Sequence, residues 1–114
     1  MSVDCTLYIG YTITLKTDLK GEDFDFFRDF DEYDDYDCEG KVTLLVDGMS
    51  GGYARLIFVD KKINDIWDCG DYYKLRAENI PDDVYSELNK AYSTMYGKDL
   101  DKELIEYGLT VHFS

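Results

Sequence analysis

Thr6–Lys16 reads TLYIGYTITLK. Leu7, Ile9, Tyr11, Ile13 and Leu15 alternate with Tyr8, Thr12, Thr14 and Lys16. A period of two filled with β-branched and aromatic residues predicts a half-buried strand. Gly10 interrupts the side chains and marks a bulge or a close backbone approach. Downstream, Lys41–Asp47 (KVTLLVD) and Tyr53–Asp60 (YARLIFVD) are two further β-branched runs, and they flank the glycine-rich connection Gly48–Gly52 that suits a hairpin. In the second run Ala54, Leu56, Phe58 and Asp60 alternate with Tyr53, Arg55, Ile57 and Val59, so both faces are partly apolar and a central strand is expected. Lys61, Lys62 and Asn64 are expected to make the next turn. Ile63–Leu75, with Ile66, Trp67, Tyr72, Tyr73 and Leu75 around Cys69-Gly70-Asp71, reads as a strand broken by a turn.

Pro81 opens the clearest helix. Proline suits a first helical position, Asp82, Asp83 and Glu87 favour the positive end of the helix dipole, and Val84, Leu88, Ala91 and Met95 recur at helical spacing before Gly97. Asp99 is expected to cap a second, shorter helix, with Leu100, Leu104 and Tyr107 on one face before Gly108. Leu109–Phe113 reads as a last strand with Leu109, Val111 and Phe113 inward. The expectation is an α+β fold: a single domain over residues 1–114, with a mainly antiparallel sheet of four to five strands and two helices in the C-terminal half. A chain of 114 residues that is 45% hydrophobic fills one modest core. No run approaches the roughly 18 apolar residues of a membrane helix, and the N-terminus has no basic segment followed by an apolar block, so a soluble intracellular protein is expected. Cys5, Cys38 and Cys69 fit neither a disulfide framework nor paired zinc ligands and read as free thiols.

Between the first strand and the hairpin lies Glu22–Glu39, EDFDFFRDFDEYDDYDCE. It holds ten carboxylates, six aromatic rings, Arg28 and Cys38, and supplies most of the chain's net charge of −13. Phe24, Phe27, Phe30, Tyr33 and Tyr36 recur every third residue, a spacing that is neither the 2.0 of a strand nor the 3.6 of an α-helix. A short helix over Asp23–Phe30 followed by an irregular acidic loop to Gly40 is expected, with the rings anchoring the segment and carboxylates lining its outside. Eighteen helical residues would span about 27 Å, over which duplex DNA carries roughly sixteen phosphates. Ten carboxylates therefore reach more than half the charge density of DNA. A field of this sign repels nucleic acid and anionic lipid and attracts the basic surfaces that hold nucleic acid.

Catalytic chemistry has few candidates. His112 is the one histidine and reads as an outward strand residue beside Thr110. Gly48, Ser50 and Gly52 match G-x-S-x-G spacing, but their flanks read strand to strand, whereas a nucleophile elbow joins strand to helix. Asp35, Asp37, Glu39 and Gly40 fit the first half of a calcium loop, yet Val46 stands where the bidentate glutamate belongs. No enzyme, cofactor or metal centre is expected. A divalent-metal-responsive module, or an assembly subunit using its strand edges, are the alternatives.

In size, in acidity and in the run Glu22–Glu39, the chain resembles the host-defence inhibitors of phages and mobile elements, the anti-CRISPR and anti-restriction proteins. The resemblance implies a non-enzymatic DNA mimic in a bacterial cytoplasm that occupies the nucleic-acid groove of a Cas effector or restriction enzyme. The residues expected to meet such a partner are Asp25, Asp29, Phe30, Asp31, Glu32, Tyr33, Asp34, Asp35, Tyr36, Asp37 and Glu39. Charge would steer the association, and Phe30, Tyr33 and Tyr36 would serve as desolvated anchors.

Overall fold

The alternating stretch becomes β1, Cys5–Thr17, in the interior of the sheet. The computed structural model describes residues 5–33, 39–47, 52–64 and 79–113. Within them, β2 spans Val42–Val46, β3 Tyr53–Asn64 and β4 Glu106–Phe113. The strands lie in the order β2-β3-β1-β4, and each neighbouring pair is antiparallel. Together with α1 (Gly21–Arg28) and α2 (Asp82–Tyr96) they make an α+β fold. β3 is an interior strand with two apolar faces, as its double alternation predicts.

Two bulges set which side chains meet. Ile9 pairs with Lys61 but Gly10 with Val59, so Asp60 is the extra residue on β3. Thr14 pairs with Arg55 but Lys16 with Ala54, so Leu15 is the extra residue on β1. A bulge re-aims the side chains beyond it. The second one brings Lys16 to the face of Ala54, which is the face that carries the helices.

That face holds the larger core. Tyr11, Ile13, Leu44, Ala54 and Leu56 from the sheet pack with Phe27 of α1 and with Val84, Leu88, Ala91 and Met95 of α2. The α2 residues are those picked out by helical spacing. Gly97 ends α2 in the left-handed region, at φ 70° and ψ 21°, and its N–H donates to the Ser93 carbonyl. On the opposite face Tyr8, Leu45, Ile57 and Val59 form a second buried cluster with Tyr53 against it.

The second helix expected from Asp99 does not form. In place of a helix from Asp99 to Tyr107 there is one 3-10 turn, Lys102–Leu104, capped by Asp101, whose side chain accepts from the Glu103 N–H at 3.0 Å. Leu104 is exposed, and Tyr107 and Gly108 already belong to β4, opposite Tyr11 and Gly10. Pairing with β1 overrides a local helical spacing worth only tenths of a kcal/mol per residue. Asp99 instead accepts from Asn89 Nδ2, while Asn89 Oδ1 takes the Leu100 N–H at 2.7 Å. Leu109, expected inward, is exposed on the edge strand. Lys61, Lys62 and Asn64 are not a turn but the end of β3, opposite Ile9, Tyr8 and Thr6, because β1 is long enough to keep pairing past the bulge. Gly48–Gly51 of the expected hairpin connection, and Ile66–Leu75, lie outside the described residues.

Candidate functional site

The acidic segment is built on helix α1. Leu19 is buried just before it, and Asp18 turns the chain at φ 55°. Asp23 is buried although it carries charge. Its Oδ1 takes the ion pair and hydrogen bond of Lys16, re-aimed by the bulge at Leu15, and its Oδ2 accepts the Lys20 N–H at 2.8 Å. This is half of a capping box, with a third-position carboxylate satisfying a free N–H at the helix start. One carboxylate of the ten is therefore a structural clasp between β1 and α1.

The hydrogen bond from Lys16, then that from the Lys20 backbone, holds the Asp23 carboxyl below its ordinary pKa of 3.8. A lowered folded-state pKa gives stability that is present above the unfolded value and is lost as pH falls through the folded one. Asp23→Asn should lower the urea midpoint at pH 7. The gap between variant and parent should close as the pH falls from about 5 towards 2. Equal gaps at both ends of a denaturation series would show that the clasp does not act through charge. Because Lys16 is nearly half exposed, added salt should narrow the neutral-pH gap as well.

After α1 the backbone tightens. Asp29 N donates to Phe26 O, Phe30 N to Phe27 O and Tyr33 N to Phe30 O, at 3.3, 3.0 and 3.1 Å, the last leading through the 3-10 turn Asp31–Tyr33. Three-residue turns bring side chains three apart into line. From Phe27 through Phe30 to Tyr33 the three-residue spacing thus follows a chain leaving the two turns of α1 for 3-10 geometry. Phe27 is 4% exposed, and Phe24, Phe30 and Tyr33 pack half-buried against the same core. The Tyr33 carbonyl accepts from buried Thr43 Oγ1 at 2.9 Å, which ties the turn to β2.

Five other carboxylates take the outside. Glu22, Asp25, Asp29 and Glu32 are exposed. Glu39 is exposed too, with Oε1 accepting the Lys62 N–H at 3.2 Å. Of the residues expected at a partner, Asp25, Asp29 and Glu32 point to solvent along α1 and the turn after it, whereas Phe30 and Tyr33 are engaged by the core. Asp31 lies in the 3-10 turn; Asp34, Asp35, Tyr36 and Asp37 lie outside the described residues. An open cleft of about 390 Å³ separates this turn from α2, with Glu32 and Tyr33 on one wall and Glu87 and Lys90 on the other. Lys41 also lines it, so the cleft is of mixed charge rather than an extension of the acidic surface.

Two aromatic residues outside the three-residue series stand beside the acids. Phe26 and Tyr96 are both exposed, with ring centroids 5.6 Å apart, and Tyr92 lies 4.9 Å from Tyr96. Partial burial of the ring, then the neighbouring Tyr92 and Asp23, pushes the Tyr96 phenol above its ordinary pKa. Their signal in the sequence was the helical spacing Glu22, Asp25, Phe26, Asp29 and the i, i+4 pair Tyr92 and Tyr96.

On the second face of the sheet, His112 is half-buried rather than outward. Its Nδ1 lies 2.9 Å from the Tyr53 hydroxyl, and its ring meets those of Tyr8 and Tyr53 edge-on. Arg55 stacks over Tyr53 at 4.4 Å and donates to Thr110 Oγ1 at 3.2 Å. Among the described residues no three His, Cys, Asp or Glu side chains are grouped to hold a metal ion. No helix among them is long and apolar enough to cross a membrane. Comparison of this chain with protein-family models, curated proteins and solved structures finds no match.

Proposed function

We propose that the protein is a non-enzymatic inhibitor that binds a basic nucleic-acid-binding protein in place of DNA or RNA, in the manner of the host-defence inhibitors of phages and mobile elements. The supporting observation is that Glu22, Asp25, Asp29 and Glu32 are exposed on a segment whose Phe24, Phe27, Phe30 and Tyr33 pack against the core. Charges on a docked segment keep their spacing, so a partner does not have to order them on binding. The field of a chain at −13 steers basic surfaces towards it and keeps polyanions away. A bacterial cytoplasm holding Cas effectors and restriction enzymes is the setting in which such a protein acts.

The test is displacement of labelled duplex from purified Cas effectors and restriction endonucleases. A genuine partner should release DNA stoichiometrically, and its affinity for this protein should fall at least tenfold between about 50 and 200 mM salt. Asp25→Asn, Asp29→Asn and Glu32→Gln together should flatten that salt slope. A tight partner indifferent both to salt and to the triple substitution would overturn the proposal.

A further inference from the structure

Phe26 borders a charged stripe. Glu22, Asp25 and Asp29 succeed one another along one side of α1 and its C-cap, and Phe26, one turn after Glu22 and nearly one turn before Asp29, lies on the edge of that line. The ring is 36% exposed and leans on Tyr96, which is 37% exposed at the end of α2. Two helices thus present neighbouring aromatic rings beside an acidic stripe. Aromatic faces attract cations, and carboxylates beside them deepen the negative potential.

The chemistry of the stripe selects the occupant. Stacking a nucleobase here would bring its phosphates against Glu22, Asp25 and Asp29. A second copy of this chain would carry another −13 to the same place. A lysine ammonium is compact and strongly hydrated, whereas a guanidinium is planar, more weakly hydrated, stacks on rings and forks onto carboxylates. Arg28 reaches Asp25 Oδ1 at 3.6 Å, but both side chains are 75% exposed, so that pair is weak and easily exchanged. Among the described residues, Glu22 and Asp29 take part in no ion pair.

We propose that Phe26 and Tyr96 form the contact centre for an arginine side chain of a basic protein partner, with Glu22, Asp25 and Asp29 as the carboxylate stripe beside it. This rests on the reading of a basic partner given above and names the side chain that the surface selects. The probes are a nona-arginine and a nona-lysine peptide of equal charge, titrated into the full chain at about 50 mM salt, with binding followed by calorimetry and ring chemical shifts by NMR. The arginine peptide should bind at least about threefold tighter than the lysine peptide. Its largest ring shifts should fall on Phe26 and Tyr96. Phe26→Leu with Tyr96→Leu keeps an apolar cover and the net charge, and should reduce arginine binding to the lysine level without changing its salt slope. If the arginine preference is absent, or survives the double substitution, the contact centre is wrong while the basic-partner reading stands. If neither peptide binds, both fall.

Discussion

Gly10→Ala is expected to lower the urea midpoint by about 1 M or more, whereas Gly108→Ala, on the residue directly opposite in β4, leaves it unchanged or slightly raised. At the bulge between Ile9 and Gly10, the β3 backbone comes so close that a Cβ on Gly10 would collide with the Phe58 carbonyl oxygen and crowd the Asp60 nitrogen. Both obstacles are backbone, so no rotamer change relieves them. Relief requires separating β1 from β3, the two long interior strands. Overpacking of this kind costs about 1–3 kcal/mol and sometimes more, and with a urea slope of about 1–3 kcal/mol per molar the shift is easily measured. At Gly108 a Cβ meets no atom within 4 Å, and replacing glycine lowers the entropy of the unfolded chain. Far-UV circular dichroism during urea titration of both variants checks the pair. Equal midpoints would mean that the close approach at Gly10 is not maintained in solution.

How much of this was legible varies with the residue. The alternation of Thr6–Lys16 announced β1, and Gly10 announced its bulge, because a missing side chain is a visible mark. The bulge at Leu15 left no mark, since nothing in LKT distinguishes a residue that will lose its partner. Yet that bulge is what carries Lys16 to Asp23, and so this buried carboxylate was indistinguishable from its solvated neighbours. Buried Val84, Leu88, Ala91 and Met95 of α2 followed from spacing and the terminal glycine. The stretch Leu100–Tyr107 misled because its helical spacing is real, but partners 90 or more residues earlier in β1 claim Glu106 and Tyr107. In the acidic segment, composition revealed the charge and the anchoring rings. It could not say that the steps from Phe27 to Phe30 and Tyr33 follow turns of 3-10 geometry, or that Phe26, outside that period, is exposed.

Phe27→Ala should be the most damaging change in the acidic segment, although it alters no charge. The ring is 4% exposed in the cluster that includes Leu56, Leu88 and Met95. Truncating a buried phenylalanine costs about 3–5 kcal/mol through lost transfer energy and the cavity left behind. An eight-residue helix has little stability of its own, since isolated helices below about 12 residues are marginal in water. Without the ring, α1 loses its main attachment, and the Asp23 clasp, partly screened through Lys16, is too weak to replace it. Amide exchange at Phe24–Asp29 should therefore approach that of an unfolded segment, and the global urea midpoint should fall by about 1 M or more. Phe26→Ala is the control: removing an exposed ring one position away should cost under about 1 kcal/mol and leave exchange protection intact. Phe27→Ala also separates two ways in which an acidic segment can bind. If carboxylates act only by their number, Phe27→Ala retains all of them and should bind a basic partner as the parent does. If the partner reads carboxylates held at fixed spacing, the variant has to order the segment on binding, and affinity should drop at least about tenfold while the salt slope, which counts charges, stays the same. Unchanged affinity in a variant whose α1 amides exchange freely would mean that the charge, and not the docked segment, is what the partner recognises.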